Sequence, residues 1–262
     1  MLARQRQSVI VEELKRAGSA KVSELTQVLG VSDMTVRRDL DVLARAGLLE
    51  KVHGGAVLPG APSSHEPGFD AKSARDQAAK EAIARVAATL VVPGTAVGLS
   101  AGTTTFALAR LLRDVAGLTI VTNSMRVASL FEQTSLGAGH SPSTSVVLTG
   151  GVRTPSDALV GPVADLAIRS LHVDELFLGC HGIDPVAGLS TPNLAESETN
   201  RAFIQAARRV TVLADHTKWG VIGLSSFATL EDADTLITDG GMPAESRALL
   251  TDRVGTLIIA DE

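Results

Sequence analysis

The feature that most constrains the fold is an alternation of strand-like and helix-like segments from Lys72 to the end of the chain. Short apolar runs such as TAVGLS, TIVTN and RVTVLAD alternate with longer segments whose apolar residues recur at helical spacing. Strands that are joined through helices run parallel, and a parallel sheet is covered by helices on both faces. The pattern therefore predicts an α/β fold, a three-layer α/β/α domain with a mostly parallel sheet over residues 72–262.

The first fifty residues follow a different pattern, with three helical segments before any strand. Ser32 can cap the third segment through its hydroxyl, directly after the turn LGVS. Behind this helix, LLEKV and GAVL are strand-like, and the glycines where they join permit a tight hairpin. We expect these residues to pack between the helices: Ile10, Leu14, Ala17, Val22, Leu25, Val28, Leu29, Val36, Leu40, Leu43 and Gly47.

A basic ridge on the third helix indicates a DNA-binding surface. At helical spacing, Arg38 points away from the buried stripe and Arg37 lies on its flank. A short turn followed by a helix with exposed polar residues is typical of a helix-turn-helix, which places that helix in the major groove, and the hairpin would form a wing. The residues expected to contact DNA are Ser32, Thr35, Arg37, Arg38 and Arg45 on the helix and Lys51 and His53 on the wing. The alternative is that the arginine pair solvates the helix and pairs with neighbouring aspartates.

Charge and composition divide the chain in the same way. The net charge is −5, but nine basic and seven acidic residues precede residue 58, which leaves 15 basic and 22 acidic residues in the remainder. A basic head on an acidic body favours two parts with different partners. We predict a winged helix-turn-helix domain at residues 1–57, a linker rich in proline, glycine and serine at 58–71, and an effector-binding domain at 72–262.

Polar residues and glycines collect where the predicted strands end, which is where ligands bind in open α/β sheets. Ser100 and Gly102 precede three threonines, Thr103 to Thr105, at the start of a helix, and the free N–H groups of such a start suit a phosphate. Further candidates follow the later strands: Asn123, Ser124, Gly150, Gly151, Asp184, Glu196, Glu198 and Lys218. Each has a structural alternative, since the threonines can merely cap the helix, Asp184 can close a turn, and Lys218 can be a surface lysine.

The head and the body both resemble one known family. SELTQVLGVSDMTVRRDLDVLARAGLLEKVHGGAV resembles the N-terminal winged helix-turn-helix of the DeoR family of bacterial transcriptional regulators, and VS-x-x-TVRRDL and HGGA are close to its signature. SAGTTT, VTNS, LTGG, VGP, LFLGCHGID, GLSTPNLAESE, VLADHTKWG and LITD resemble its effector domain. The resemblance implies a regulator that represses a carbohydrate-utilisation operon under the control of a phosphorylated sugar. The chain departs from the family at Lys51, which is usually arginine, and at Asn200, which is commonly lysine.

A second similarity, to the start of ribose-5-phosphate isomerase, is carried by KEAIARVAATLVVPGTAVGLSAGTTT. It implies a related fold. By resemblance, the phosphate would be held by Lys80, Gly102, Thr103, Thr104 and Thr105. The sugar would be faced by Asn123, Gly151, Asp184, Glu198 and Lys218. The alternative function is an isomerase-like enzyme with an accessory DNA-binding domain, in which Asp184, Glu198 and Lys218 would transfer protons. No acidic cluster matches that enzyme's catalytic segment, so we expect a regulator and not an enzyme.

The cysteine, the histidines and the longest apolar region indicate the cellular environment and the partners of the protein. Cys180 is the single cysteine, which rules out an internal disulfide and fits a reducing cytoplasm, and its apolar strand favours a core position. The six histidines show no metal-binding spacing, so we expect neither metal nor cofactor beyond the effector. The longest apolar region is broken by Arg85 and Pro93, which disfavours a membrane span. We expect a cytoplasmic homodimer or homotetramer that binds paired half-sites in double-stranded DNA.

Overall fold

The computed structural model describes residues 2–17, 19–46, 48–52, 55–57, 68–73, 75–135 and 144–261. The chain divides into two compact units, Met1–Pro67 and Gly68–Glu262. Most of the predicted linker, residues 58–67, lies outside the described residues, and the predicted end of the linker overlaps a short helix of the larger unit. The predicted domain boundaries therefore stay predictions.

The smaller unit is a helix-turn-helix with a wing. Its elements are α1 (Ala3–Ala17), β1 (Ser19–Lys21), α2 (Val22–Leu29), α3 (Asp33–Arg45), β2 (Glu50–Val52) and β3 (Gly55–Val57). β3 pairs antiparallel with both β1 and β2, so the hairpin is extended by a strand that the sequence pattern did not indicate. A strand of three residues, SAK, is too short to show alternation.

The core of the smaller unit matches the predicted stripe with one exception. Ile10, Leu14, Val36 and Leu40 are almost completely buried, together with the inward residues of α2. Val28 was wrongly assigned to this core, because 56% of it is exposed. It stands about 100° around α2 from the buried Leu29, outside the arc that α3 covers. The side chain of Ala17 and the whole of Gly47 lie outside the described residues.

The larger unit is built on a parallel sheet, as predicted. Seven described strands pair in the order β15-β14-β12-β9-β4-β5-β6, and every pairing is parallel. These strands are β4 (Ala96–Leu99), β5 (Thr119–Thr122), β6 (Ser145–Leu148), β9 (Glu175–Gly179), β12 (Val210–Leu213), β14 (Thr235–Asp239) and β15 (Thr256–Ala260). The central strands are buried on both faces, which explains why they are nearly continuous apolar runs.

Helices cover the sheet on both faces. They are α4 (Phe69–Ser73), α5 (Gln77–Ala88), α6 (Thr103–Leu111), α7 (Met125–Ser135), α8 (Pro162–Arg169), α9 (Leu194–Ala206) and α10 (Ala244–Arg253). Right-handed crossovers place α6 and α7 on one face and α8, α9 and α10 on the other. Two apolar clusters reflect this arrangement: Phe177 of β9 belongs to the cluster with α5, α6 and α7, whereas its neighbours Leu176 and Leu178 face α9. The three-layer α/β/α architecture is confirmed.

Two smaller strand assemblies were not predicted. β10 (Gly182–Asp184), β11 (Gly188–Thr191) and β13 (Ser225–Ala228) form an antiparallel sheet, and β7 (Val152–Arg153) pairs with β8 (Leu159–Val160). The apolar segment DELFLGCHGI contains two strands, β9 and β10, because the chain leaves the main sheet after Gly179. Among the described residues, none of the helices combines the length and the hydropathy needed to cross a bilayer.

Candidate DNA-reading helix and candidate anion site

The start of α3 is fixed by local hydrogen bonds. Ser32 occupies the N-cap position with extended backbone, and its Oγ accepts from the N–H of Thr35 at 3.4 Å. The hydroxyls of Ser32 and Thr35 also bond to each other at 2.9 Å. These two predicted DNA contacts therefore fix the N-terminus of α3, and their hydrogen bonds lie at the surface of the protein.

The two arginines of α3 differ in their contacts. The guanidinium of Arg37 forms an ion pair with Asp33 one turn earlier, as the structural alternative expected, and this hydrogen bond raises the pKa of Arg37. Arg38 is exposed, and its guanidinium makes no hydrogen bond or ion pair with any residue that the structure describes. The neighbouring Asp39 is buried and accepts hydrogen bonds from Arg6 at 2.8 Å and Gln7 at 3.1 Å of α1, so it does not neutralise the pair. Arg38 is thus available to a partner.

The remaining predicted DNA contacts are more peripheral. Arg45 lies in the last turn of α3, where its Nε donates to the carbonyl of Asp41 at 3.1 Å. Lys51 lies on β2 opposite Ala56 of β3. The side chain of Lys51 and the whole of His53 lie outside the described residues.

In the larger unit, the carboxyl ends of β4, β5, β9 and β12 are neighbours at one edge of the sheet. Ser100 is buried there, and its Oγ accepts from the N–H of Gly179 at 3.0 Å, which joins the ends of β4 and β9. Asn123 is also buried: its Oδ1 accepts from the N–H of Ala101 at 2.8 Å and its Nδ2 donates to the carbonyl of Leu159 at 3.1 Å. Both predicted effector contacts are therefore engaged in holding the loop that enters α6.

The loop presents the start of α6 with its donors available. The N–H groups of Thr103, Thr104 and Thr105 donate to no group in the described part of the chain, and neither do the hydroxyls of Thr103 and Thr104. The hydroxyl of Thr105 is fully buried and donates to the carbonyl of Gly102 at 3.1 Å. Ser124, by contrast, uses its Oγ to accept from the N–H of Val127 at 3.2 Å at the start of α7. The first turn of α6 therefore offers unused N–H donors. Since the positive end of the helix dipole lies at the same place, an anion would be favoured there.

Two lysines and one aspartate add charge at this edge. Asp215 follows β12 and is buried, and Lys218 ends the short turn His216–Lys218 with an ammonium that bonds to no described residue. Burial raises the pKa of Asp215, but Lys218, the hydrogen bonds of Thr217 and Lys80 together outweigh it and hold that pKa below its usual value. The ammonium of Lys218 has no hydrogen bond to a described residue, so it is available to an anion at this edge.

Lys80, which was predicted to hold the phosphate, is buried and bonded to the backbone. Only 5% of it is exposed, and its Nζ donates to the carbonyls of Lys72, at 2.8 Å, and Arg75. Burial lowers the pKa of Lys80, Asp215 opposes that effect and Lys218 adds to it. The ammonium therefore lies close to the other charges while it is bonded to one backbone carbonyl in the last turn of α4 and one just after it.

Cys180 lies beside the same charges and packs against the apolar core. Burial raises the pKa of its thiol to about 12, Lys218 opposes that effect and Asp215 adds to it. The thiol is therefore neutral near pH 7, consistent with the predicted core position. Among the described residues, no group of three or more His, Cys, Asp and Glu side chains could hold a metal ion.

The packing and the backbone conformation after β6 explain why glycine stands at two positions there. Gly151 has φ of +120°, and a Cβ on it would lie 2.7 Å from the carbonyl oxygen of Val160 and 3.1 Å from the Cβ of Ala164. The space is thus filled by the chain itself and not left open for a ligand. Gly150, with φ of +72°, also adopts the left-handed backbone that favours glycine.

Two predicted contacts are not brought to the carboxyl edge. Asp184 closes the turn between β10 and β11 through its Oδ1, which accepts from the N–H groups of Val186 and Ala187 at 2.8 Å. The next carbonyl, of Pro185, accepts from Arg253 at the end of α10, just before β15 begins, so this turn lies at the amino edge of the sheet. Glu198 is exposed on α9 and forms an ion pair with Arg201. Asn200, at the family's usual lysine position, is buried in the same helix.

One pair at the carboxyl edge was missed. His216 Nδ1 lies 2.7 Å from Oδ2 of Asp239 at the end of β14, and the N–H of His216 donates to Oδ1 at 2.7 Å. Burial raises the pKa of Asp239, but its hydrogen bonds to His216 and Gly241 outweigh this and bring it to about 2. His216 directly follows the predicted strand RVTVLAD and Asp239 ends β14, but their meeting depends on the pairing of β12 with β14, which the sequence does not indicate.

A groove of about 400 Å³ is lined by residues of α6, α7 and the β7–β8 hairpin. Its lining combines apolar side chains with two arginines and a carboxylate: Phe106, Met125, Arg126, Ser129, Leu130, Arg153 and Asp157. None of these residues was singled out from the sequence.

Comparison with known proteins agrees with this two-unit arrangement. The family model described as the DeoR-like helix-turn-helix domain matches residues 6–61, and that of the DeoR C terminal sensor domain matches residues 75–240. The chain is 34% identical to a putative aga operon transcriptional repressor of Escherichia coli O157:H7, over 92% of this chain and 88% of that protein. It is 32% identical to the glycerol-3-phosphate regulon repressor of Escherichia coli K12, over 95% of each chain. A solved ribose 5-phosphate isomerase of Methanocaldococcus jannaschii is more distant, with 17% identity, a TM-score of 0.40 and 55% of each chain covered.

Proposed function

Since the chain belongs to the DeoR family of transcriptional regulators, we propose that it represses a carbohydrate-utilisation operon and that a phosphorylated sugar controls its binding to the operator. Relatives named as repressors of the aga operon and of the glycerol-3-phosphate regulon support both parts of the proposal. A regulator of this kind acts on chromosomal DNA in the cytoplasm.

The observation that carries the proposal is the unused first turn of α6, which lies at the same edge of the sheet as Lys218. Three consecutive N–H groups and two hydroxyls are free of described partners, and Lys218 adds an ammonium. A phosphate group has enough acceptor oxygens to use these donors together, and its charge matches the helix dipole. The sugar would then lie over the ends of β9 and β12, toward Cys180 and Asp215.

DNA recognition is assigned to α3. Arg38 would read a base edge or a phosphate, because its guanidinium is exposed and has no described partner. One recognition helix reads only a few base pairs, so we propose that a homodimer or homotetramer binds paired half-sites. A sugar phosphate that prefers the conformation unable to bind DNA would shift the population away from the operator.

A thermal-shift screen tests the ligand class directly. The panel is glycerol 3-phosphate, ribose 5-phosphate, fructose 1-phosphate and glucose 6-phosphate, each with its unphosphorylated parent as control. A ligand at about 100 times its Kd stabilises the native state by about 2.7 kcal/mol, so at least one phosphorylated compound should raise the Tm. Lys218→Ala should reduce that shift, whereas Arg110→Ala, which removes an exposed cation at the far end of α6, should not. Shifts with the parent sugars alone would contradict a phosphate site.

We also propose that the protein is not an enzyme. The three side chains that an isomerase-like reaction would need are separated, since Asp184 lies in a turn at the amino edge and Glu198 is exposed on α9. Ribose 5-phosphate incubated with the protein should therefore give no ketose above the uncatalysed rate. Turnover at enzymic rates would favour the isomerase alternative.

A further inference from the structure

The helix α4 has five residues and is the first element of the larger unit along the chain. A helix this short is not stable on its own, so its contacts with the rest of the larger unit must maintain it. Phe69 is buried, and its ring meets that of Phe106 edge to face, with centroids 5.6 Å apart. Phe106 follows Thr105 in α6, so α4 rests against the helix whose first turn is the candidate anion site.

Arg126 of α7 fastens the same helix from another side. Its guanidinium carbon lies 4.1 Å from the centre of the Phe69 ring, a cation–π contact, and its Nη2 lies 3.1 Å from a carboxylate oxygen of Asp70. Its Nε donates to Asp157 at 2.6 Å. Arg126 thus ties α4 to the turn between β7 and β8. Arg153 also pairs with Asp157, but it has no contact with α4 among the described residues.

Lys80 completes the attachment from α5. Its ammonium donates to the carbonyls of Lys72, in the last turn of α4, and Arg75, just after it. The same ammonium interacts with Asp215 and Lys218 at the carboxyl edge. The two carbonyls use two of the three N–H donors of this ammonium, so the third can reach a bound phosphate. A phosphate that draws the ammonium toward the carboxyl edge would also pull on the two carbonyls, so anion binding and the attachment of α4 share one group.

We infer that α4 transmits effector occupancy toward the DNA-binding unit, and that Arg126 is the positioning residue that makes this coupling possible. The inference rests on the proposed function, because it specifies how that function is regulated. It requires that α4 has two states, attached and loosened, and that ligand and DNA favour different ones.

The test compares Arg126→Ala with Arg153→Ala in the full chain. Both variants remove an arginine that pairs with Asp157, but only the first removes a contact to α4. The probes are a promoter fragment from upstream of the protein's own gene and the sugar phosphate from the panel that gives the largest thermal shift. The ratio of promoter affinity without and with this compound should be about 5 to 150 in the natural protein and in Arg153→Ala, and should fall below about 2 in Arg126→Ala.

The outcomes separate the inference from the function it rests on. A natural protein whose promoter binding ignores every compound would contradict the proposed function, and the inference with it. If the natural protein responds and Arg126→Ala responds equally, the inference alone is overturned. It is also overturned if Arg126→Ala no longer binds the compound by thermal shift, because Arg126 would then be a ligand contact. If Arg126→Ala does not fold, Asp70→Asn decides, since Asp70 is largely exposed and its change should reduce the ratio without affecting folding.

Discussion

The starts of α3 and α6 both offer donors to a phosphate, but they are fixed in opposite ways. At the start of α3 the polar contacts are local, because Ser32 bonds Thr35 and Arg37 pairs with Asp33, each within about one helical turn. At α6 the support comes from distant parts of the chain, since the entering loop is held by Asn123 and by the bond between Ser100 and Gly179. The DNA-binding helix thus depends on exposed side chains, and the anion site depends on a backbone that the fold has set in place.

The largest expected effect is at α6, where Thr104→Glu should abolish the response to the sugar phosphate. The new carboxylate would occupy the place of the anion and repel it, a cost of several kcal/mol. Thr104→Ser, which keeps the hydroxyl, is the control. Calorimetric titration with the compound chosen by the thermal-shift screen measures the loss. Promoter affinity without ligand should be unchanged, and a parallel fall in DNA binding would show that the two helix starts are not independent.

The next effect concerns the support of the anion site. Asn123→Ala leaves the N–H of Ala101 and the carbonyl of Leu159 without their partner. Each buried group without a partner costs about 1–3 kcal/mol, so the free energy of unfolding of the larger unit should fall by about 3 kcal/mol. Urea denaturation checks this, with the exposed Ser129→Ala as control. An unfolding midpoint equal to that of the control would mean that long-range bonds do not hold this loop.

At α3 the loss of a single exposed side chain should weaken DNA binding without changing the stability of the protein. Arg38→Ala should weaken specific promoter binding by about 1–3 kcal/mol if the guanidinium contacts a base edge. Arg37→Ala is the matched control, and a smaller effect is expected because Arg37 is already paired with Asp33. Fluorescence anisotropy with specific and unrelated DNA measures both. If Arg37→Ala costs more than Arg38→Ala, the assignment of the reading side chain is wrong.

The smallest effect should come from the local support of α3. Ser32→Ala removes the N-cap acceptor, which typically costs about 1 kcal/mol of stability in the unit that contains the helix. Thermal unfolding followed by circular dichroism measures the change. The control is Ser8→Ala in α1, whose hydroxyl donates to the carbonyl of Arg4 in the same helix and to no other residue that the structure describes. Equal Tm values for both variants would show that the Ser32 cap does not stabilise the smaller unit.

The same contrast explains what the sequence could predict. The three helices of the smaller unit, the cap at Ser32 and the buried stripe of α3 depend on spacing within one segment, and the structure has them as expected, whereas β1 is too short to leave such a signal. The predicted burial of Val28 was wrong, because helical spacing does not show how much of the helix surface a neighbouring helix covers. The parallel sheet was predicted because each crossover leaves a regular alternation in the chain.

The roles of individual residues in the larger unit were harder to predict. Residue type and strand position placed Ser100 and Asn123 at the carboxyl edge, but did not indicate that both would be engaged by the chain itself. Strand order, which brings His216 to Asp239 and leaves Asp184 at the amino edge, cannot be read from the strands one by one. The antiparallel sheet of β10, β11 and β13 consists of strands of three or four residues, too short for a periodic signal.

The most direct test of the account is the affinity of the full chain for its own promoter region, measured by fluorescence anisotropy at low ionic strength with and without the sugar phosphate chosen by the thermal-shift screen. The account predicts sequence-specific binding with a Kd of about 10 nM or tighter, typical of specific protein–DNA complexes. It also predicts that the compound weakens this binding about 5- to 150-fold. Binding that does not distinguish the promoter from unrelated DNA, or that no compound alters, would contradict it.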